Sequence, residues 1–190
     1  EDAALGALLI RVLPLLNQWQ KLKLTQQKDG VDGEIKTYLA CEDGKLHLNH
    51  LLGLTVQKGL SEERTKMLQE LWQNISQITK AKKSLHGSAK EFFDRRNRVW
   101  LNDVSEILEA PGFEVFRDKL FEGLSNGNKE VVSLMDLFTP LSRYAKLDPW
   151  VLSASAQKLL GLQPKKIDKN KAAEIGKDFQ SAHNWTNDWD

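Results

Sequence analysis

"SEERTKMLQELWQNISQITK", residues 61–80, is the stretch on which the fold turns. Leu68, Leu71, Trp72, Ile75 and Ile78 recur at steps of three and four, so they line one face of a helix with charged and amide side chains opposite. Ser61 stands where an N-cap belongs, with its hydroxyl placed to accept from the first-turn amides.

The same period runs outward in both directions. Toward the C-terminus, Ser88 is placed to cap a second helix running through Leu108, which Pro111-Gly112 terminates. "FEVFRDKLFEGL" (113–124) predicts a short amphipathic helix closed at Asn126-Gly127. "KEVVSLMDLFTPLSRYAKL" (129–147) follows, interrupted at Pro140, and Pro149 sits at a first-turn position for "PWVLSASAQKLLGL" (149–162). Toward the N-terminus, Leu5, Leu8, Leu9, Val12, Leu13, Leu15, Leu16, Trp19 and Leu22 form another stripe, with Pro14 kinking or restarting the helix.

The stretch between these helices is less regular. "EIKTYLACEDGKLHLNH" (34–50) offers a short β-hairpin turning at Asp43-Gly44, within residues 35–50. At the far end, "QPKKIDKNK" (163–171) reads as a basic linker. Beyond it a weaker helix through Ala172, Ala173, Ile175 and Phe179 leads to the tail "SAHNWTNDWD". The expected fold class is all-α: an irregular bundle of six to eight helices over residues 1–162, with residues 163–190 as linker, helix and tail.

Composition narrows the function classes. The 190 residues carry 27 Lys and Arg against 26 Asp and Glu, a net charge of +1. Bulk charge therefore gives no argument for nucleic acid or an anionic membrane, and only a local cluster can make one. Cys41 is the only cysteine, so no intrachain disulfide forms and an intracellular, cytoplasmic setting is expected. In that setting the acceptor triplets at Asn74 and Asn184 have no role. The first residues mimic a signal peptide only briefly, because they open with two acids and place Arg11 inside the apolar run. No eighteen uncharged apolar residues run together, as a membrane span requires.

Catalytic and metal patterns are not met. Cys41, His47 and His50 lie within ten residues, but a zinc centre wants a fourth ligand and usually a second close pair. No histidine has a glutamate three residues before it, which removes the di-iron carboxylate motif. Phosphate-binding glycine loops and a Gly-x-Ser-x-Gly elbow do not occur. No catalytic residue, cofactor or metal is expected.

"KAKKSLHGSAKEFFDRRNRVWL" (80–101) carries the strongest local charge. Lys80, Lys82, Lys83, Lys90, Arg95, Arg96 and Arg98 stand against Glu91 and Asp94, a local balance of +5 through residue 98. On a continuous helix over 90–108, Phe92, Phe93, Trp100, Val104 and Ile107 share one wide apolar arc, while Arg95, Arg98 and Glu91 face away. Aromatics and cations on opposite faces do not make a stacking platform for single strands, so Trp100 is expected in the core. Arg96 falls inside the apolar arc with Asp103 nearly above it. It is read either as a structural ion pair with Asp103 or another carboxylate, or as a groove arginine that grips a partner. Lys165 and Lys166 of the linker extend the basic patch. In the tail, Trp185 and Trp189 share a face if helical and either dock onto the bundle or anchor a partner.

These features point to a non-catalytic helical interaction subunit or scaffold within a larger assembly. Its expected contacts are the patch of Lys80, Lys82, Lys83, Lys90, Arg95 and Arg98, together with Arg96, Trp185 and Trp189. The alternative is a nucleic-acid-binding subunit that holds the phosphate backbone without reading sequence.

Overall fold

The computed structural model describes residues 1–79, 81, 84–118, 133–141, 147–163 and 165–183. They fall into two units. One comprises residues 1–39, 149–151 and 164–190; the other comprises residues 40–148 and 152–163. This grouping cuts across the expected division at residue 162, because the helix after the basic linker packs with the N-terminal helix. The structure is helix-dominated but not all-α: a two-stranded antiparallel sheet stands in the first unit.

In the first unit, α1 spans Asp2–Val12 and passes into a single 3₁₀ turn, Leu13–Leu15, with Pro14 at its start. Leu16 is already extended, and Asn17 then takes a left-handed conformation (φ 59°) before the chain enters a strand. Strand β1 is Trp19–Leu24 and β2 is Gly33–Tyr38, paired in register from Trp19 opposite Tyr38 to Leu24 opposite Gly33. The hairpin's connection thus lies about fifteen residues before the Asp43-Gly44 turn from which it was expected, and Glu42–Gly44 form a 3₁₀ turn instead. Trp19 and Leu22 satisfy a helical spacing, yet "KLKL" (21–24) alternates with period two and the partner strand "GEIKTY" is rich in strand formers. Cross-strand pairing decides between the two: the Trp19 and Tyr38 rings meet at 5.4 Å. The connection holds one helical turn, α2 (Gln26–Asp29), closed by Gly30 at φ 73°.

The linker is followed by α8 (Ala172–His183). Helices α1 and α8 lie antiparallel and touch backbone to backbone. A Cβ built on Gly6 would overlap the Ala172 carbonyl, and one on Gly176 would overlap the Asp2 carbonyl. Only glycine permits this approach. Leu9, Trp150 and Ile175 form the small core of the unit, with Leu5, Leu13, Ile167 and Phe179 against it.

The second unit contains the main core. Its elements are β3 (Leu46–His47), α3 (Leu48–Val56), α4 (Glu62–Thr79), α5 (Leu85–Arg95), 3₁₀ turns Val104–Glu109 and Phe113–Phe116, α6 (Leu134–Leu137), β4 (Phe138–Thr139) and α7 (Ala154–Leu160). The two-residue strands β3 and β4 pair in parallel. Helix α4 follows its predicted stripe: Leu68, Trp72 and Ile75 are buried, and the Arg64 amide donates to the Ser61 hydroxyl at 3.3 Å. Fully buried Trp72 meets Phe113 edge-on at 5.8 Å, and its indole N–H donates to the Thr55 hydroxyl at 3.3 Å. Burying an aromatic of that size contributes about 3 kcal/mol, and the hydroxyl removes the cost of a buried unpaired N–H.

Elsewhere the helices are shorter than their patterns. Helix α5 is capped by Ser84 rather than Ser88, which is buried inside it, and it stops at Arg95 instead of Leu108. The segment after Pro111-Gly112 is a 3₁₀ turn as far as Phe116 and a turn through Asp118, and residues 119–124 of that predicted helix lie outside the described residues. Of the segment 129–147, the described part is the single turn α6 and strand β4. Helix α7 begins five residues after Pro149, capped by Ser153, and ends on left-handed Gly161. Buried Asp136 accepts from the Ser155 amide at 2.7 Å, helping to fix the start of α7.

Candidate functional site

The predicted basic patch divides into cations the structure describes and cations it does not. Lys80, Lys82 and Lys83 lie outside the described residues, as do Trp185 and Trp189. Lys90, Arg95 and Arg98 are exposed along and just past α5. Arg95 pairs with Glu91 at 3.7 Å and Arg98 with Asp94 at 3.2 Å, both one turn away. Such pairs stabilise by only about 0–1 kcal/mol, but they locally balance both charges. Lys165 belongs to the first unit, where its ammonium lies 4.1 Å from the centre of the Trp150 ring and 3.0 Å from Asp178. Lys166 is exposed beside it.

Arg96 is half-buried and ion-paired within the chain. Its guanidinium bonds Glu106 at 2.5 Å, approaches Glu109 at 3.6 Å and lies 5.5 Å from the Phe92 ring centre. Asp103, the expected partner on a continuous helix, instead caps the turn 104–109: its carboxylate accepts from the Ser105 amide at 2.7 Å. Those bonds with Ser105 hold the Asp103 carboxyl below its ordinary pKa. Glu106 is likewise held low, first by the Asp103 amide and further by the Asn102 amide and Arg96.

This network exists because α5 ends early. Asn97 and Arg98 both adopt left-handed backbone conformations, at φ 53° and 61°. For a residue other than glycine this costs about 1–2 kcal/mol, so the surroundings must enforce it. They do so from two sides. The side-chain amide of buried Asn49 donates to the Leu101 carbonyl at 2.9 Å and accepts from the Leu101 amide at 2.7 Å. Glu106 accepts from the Asn102 and Asp103 amides at 2.7 and 2.9 Å while holding Arg96. Between these clamps the chain projects Val99 and Trp100, which are 58% and 65% exposed. The expectation that Trp100 is core is thereby overturned: a helix would have carried it inward, and the left-handed turn carries it out.

Trp100 does not stand alone. The His47 ring meets it edge-on at 6.2 Å, and it borders a hollow of about 430 Å³ with Asn49, His50, Gly53, Phe93 and Arg98. His47 accepts from the His50 amide at 3.4 Å, which assigns its ring proton to Nε2; burial and the neighbouring His50 lower its pKa. Gly53 faces open space, since a Cβ there would meet nothing within 4 Å. The chain's own packing therefore does not require glycine at this position. A larger groove of about 910 Å³ lies between α3 and α4, walled by Leu51, Leu54, Leu60, Met67 and Leu71, with Arg64 and Glu70 among its polar residues. The two hollows share His50 and Leu54 of α3 and Gln57, which follows it.

Chemically this is a surface of apolar and aromatic groups with a few polar ones. Among the described residues, no three His, Cys, Asp or Glu side chains gather to hold a metal ion. Burial raises the Cys41 thiol pKa, and the charges of Asp43 and Asp148 push the same way, which disfavours the thiolate. No helix among the described residues is long and apolar enough to cross a membrane. Sequence periodicity hid the exposed tryptophan, although Asn97 just past the last helical turn is the residue type that ends helices in a left-handed conformation. No family model, curated protein or solved structure matches the chain.

Proposed function

We propose that the chain is a non-catalytic helical interaction subunit of a larger assembly, and that the loop bearing Val99 and Trp100 is its principal contact. The observation that carries this reading is the rigid display of Trp100 on a strained turn clamped by Asn49 and Glu106. A large ring held in place before binding loses little freedom on association, and tryptophan is among the residues that most often dominate interface energetics. The hollow beside it and the open position at Gly53 give a partner's side chain room to approach.

The nucleic-acid reading has thinner support. Arg95 and Arg98 are balanced by acids on their own turns, and Lys165 is engaged by Asp178 and Trp150. It would rest on Lys80, Lys82, Lys83, Lys90 and Lys166. Binding of single- and double-stranded oligonucleotides at low and moderate salt separates the two readings: salt-sensitive binding that Trp100→Ser leaves unchanged favours the phosphate-contacting alternative.

A further inference from the structure

The β1–β2 hairpin sorts its side chains by charge. Residues opposite each other in an antiparallel pair share a face, and faces alternate along each strand. The register therefore sets Trp19, Tyr38, Lys21, Lys36, Lys23 and Glu34 on one face. Every charge of the two strands lies there, three lysines against one glutamate, a balance of +2. The other face, with Leu22 opposite Ile35, carries none.

The Lys21 and Lys36 side chains are 60% and 54% exposed and share the one carboxylate of Glu34, at 3.9 and 3.6 Å. Lys23 is exposed and has no ion-pair partner among the described residues. Loose pairs in solvent hold lysines weakly, so an incoming anion can displace Glu34. The half-buried Trp19 and Tyr38 rings stand 5.4 Å apart at one end of this face, tilted by 54°. The acids of the connection, Asp29 and Asp32, lie toward the other end, where their carboxylates accept from the Thr25 and Gln26 amides at 2.8 Å. Successive rows on the face are about 7 Å apart, so the lysines follow directly on the rings. Aromatics and cations on one side are what a single strand needs, and α5 with its outward arginines lacks that arrangement.

We propose that this face of the hairpin binds single-stranded nucleic acid, with bases stacked on Trp19 and Tyr38 and the phosphate backbone on Lys21, Lys23 and Lys36. Sheet-borne aromatics flanked by cations hold unpaired strands in this way, and the stacking tolerates any base. A duplex keeps its bases paired inside and offers the rings nothing. An acidic peptide meets the lysines but brings no base to stack. The site goes beyond the Trp100 reading, and it depends neither on that loop nor on the cations at 80–98.

Fluorescence anisotropy of a labelled oligothymidylate of about 20 nucleotides, titrated with the full chain, tests this directly. Three lysine–phosphate contacts predict a loss of affinity of about twentyfold between roughly 50 and 200 mM salt, from a single-strand slope of about −0.7 per phosphate. A duplex of equal length binds about tenfold more weakly, because its bases do not reach the rings. Combining Lys21→Gln, Lys23→Gln and Lys36→Gln removes most of the salt dependence without lowering the melting temperature, since all three positions are exposed. Trp19→Phe keeps the strand bound, whereas Trp19→Leu weakens it about tenfold. Trp100→Ser leaves binding unchanged, which separates this site from the Trp100 contact. The lysine variant decides the matter even if Trp19→Leu disturbs the hairpin. No salt-sensitive binding, equal affinity for the duplex, or equal competition by polyglutamate would overturn the proposal. So would binding that survives the lysine variant, or that is lost through Lys82→Glu and Lys83→Glu instead.

Discussion

Asn49 and Leu101, 52 residues apart in the chain, exchange two hydrogen bonds: the buried side-chain amide serves the Leu101 backbone as a neighbouring strand would. The amide also reaches the Pro140 carbonyl at 3.4 Å, so one side chain ties α3 to two separate segments. Replacing it leaves a buried N–H and a buried carbonyl unmet, each costing about 1–3 kcal/mol. Asn49→Ala is expected to lower stability by about 2–4 kcal/mol in urea titrations. It should also speed amide exchange at Leu101. A loss under about 1 kcal/mol would mean that the loop is held by other contacts.

The acid side of the clamp carries a pH signature. Asp103 and Glu106 titrate below their ordinary values of 3.8 and 4.5 in the folded chain. A carboxylate whose folded pKa is depressed contributes stability that is complete above its unfolded pKa and is lost as pH falls through the folded one. Stability should therefore decline below about pH 4.5. Glu106→Gln should flatten that decline while lowering stability at neutral pH. An unchanged acid limb in the variant would show that Glu106 remains solvated and unpaired.

The glycine contact between α1 and α8 makes a separate prediction. Gly6→Ala and Gly176→Ala each place a methyl against backbone that cannot swing aside. Each should destabilise the first unit by about 1–3 kcal/mol despite alanine's better helix propensity. The double variant should cost less than the sum, since the first substitution already parts the helices. Hydrogen exchange within α1 reads the effect. A neutral or stabilising alanine at either site would show that the helices are not in backbone contact.

Relief of strain at the turn gives a fourth expectation. Arg98 holds φ 61° and pairs with Asp94 on an exposed surface. Glycine adopts that conformation freely, and the surface pair adds little. Arg98→Gly should therefore match or exceed wild-type stability by up to about 1 kcal/mol, whereas Arg98→Val should lose about 1–2 kcal/mol. Equal losses in the two variants would locate the effect in the side chain rather than the backbone.

What was legible in the sequence was local. Ser61 and the Leu68, Trp72 and Ile75 stripe placed α4; Ile175 and Phe179 marked α8. Each depends on neighbours within a turn or two. The hairpin was hidden because Trp19 and Leu22 also fit a helical period, and the choice rests on Tyr38 and Ile35 across the sheet. The end of α5 was hidden for a similar reason. "RRNRVW" contains neither glycine nor proline, and the groups that hold its left-handed turn are Asn49, far behind it, and Glu106, in a separate turn. Arg96 could be read as paired, but its partner could not be named until Asp103 became a cap. The candidate site arises from those long-range contacts.

The central claim is that Trp100 is displayed for a partner, and it is tested by comparing proteins that co-purify with the intact chain and with Trp100→Ser under native conditions. The variant should keep its melting temperature, because a residue 65% exposed contributes little to the fold. It should retain less than about a tenth of the partner held by wild type, the loss that follows from removing an interface anchor worth 2 kcal/mol or more. Equal retention by both chains, or a melting temperature that falls by several degrees, would contradict the account.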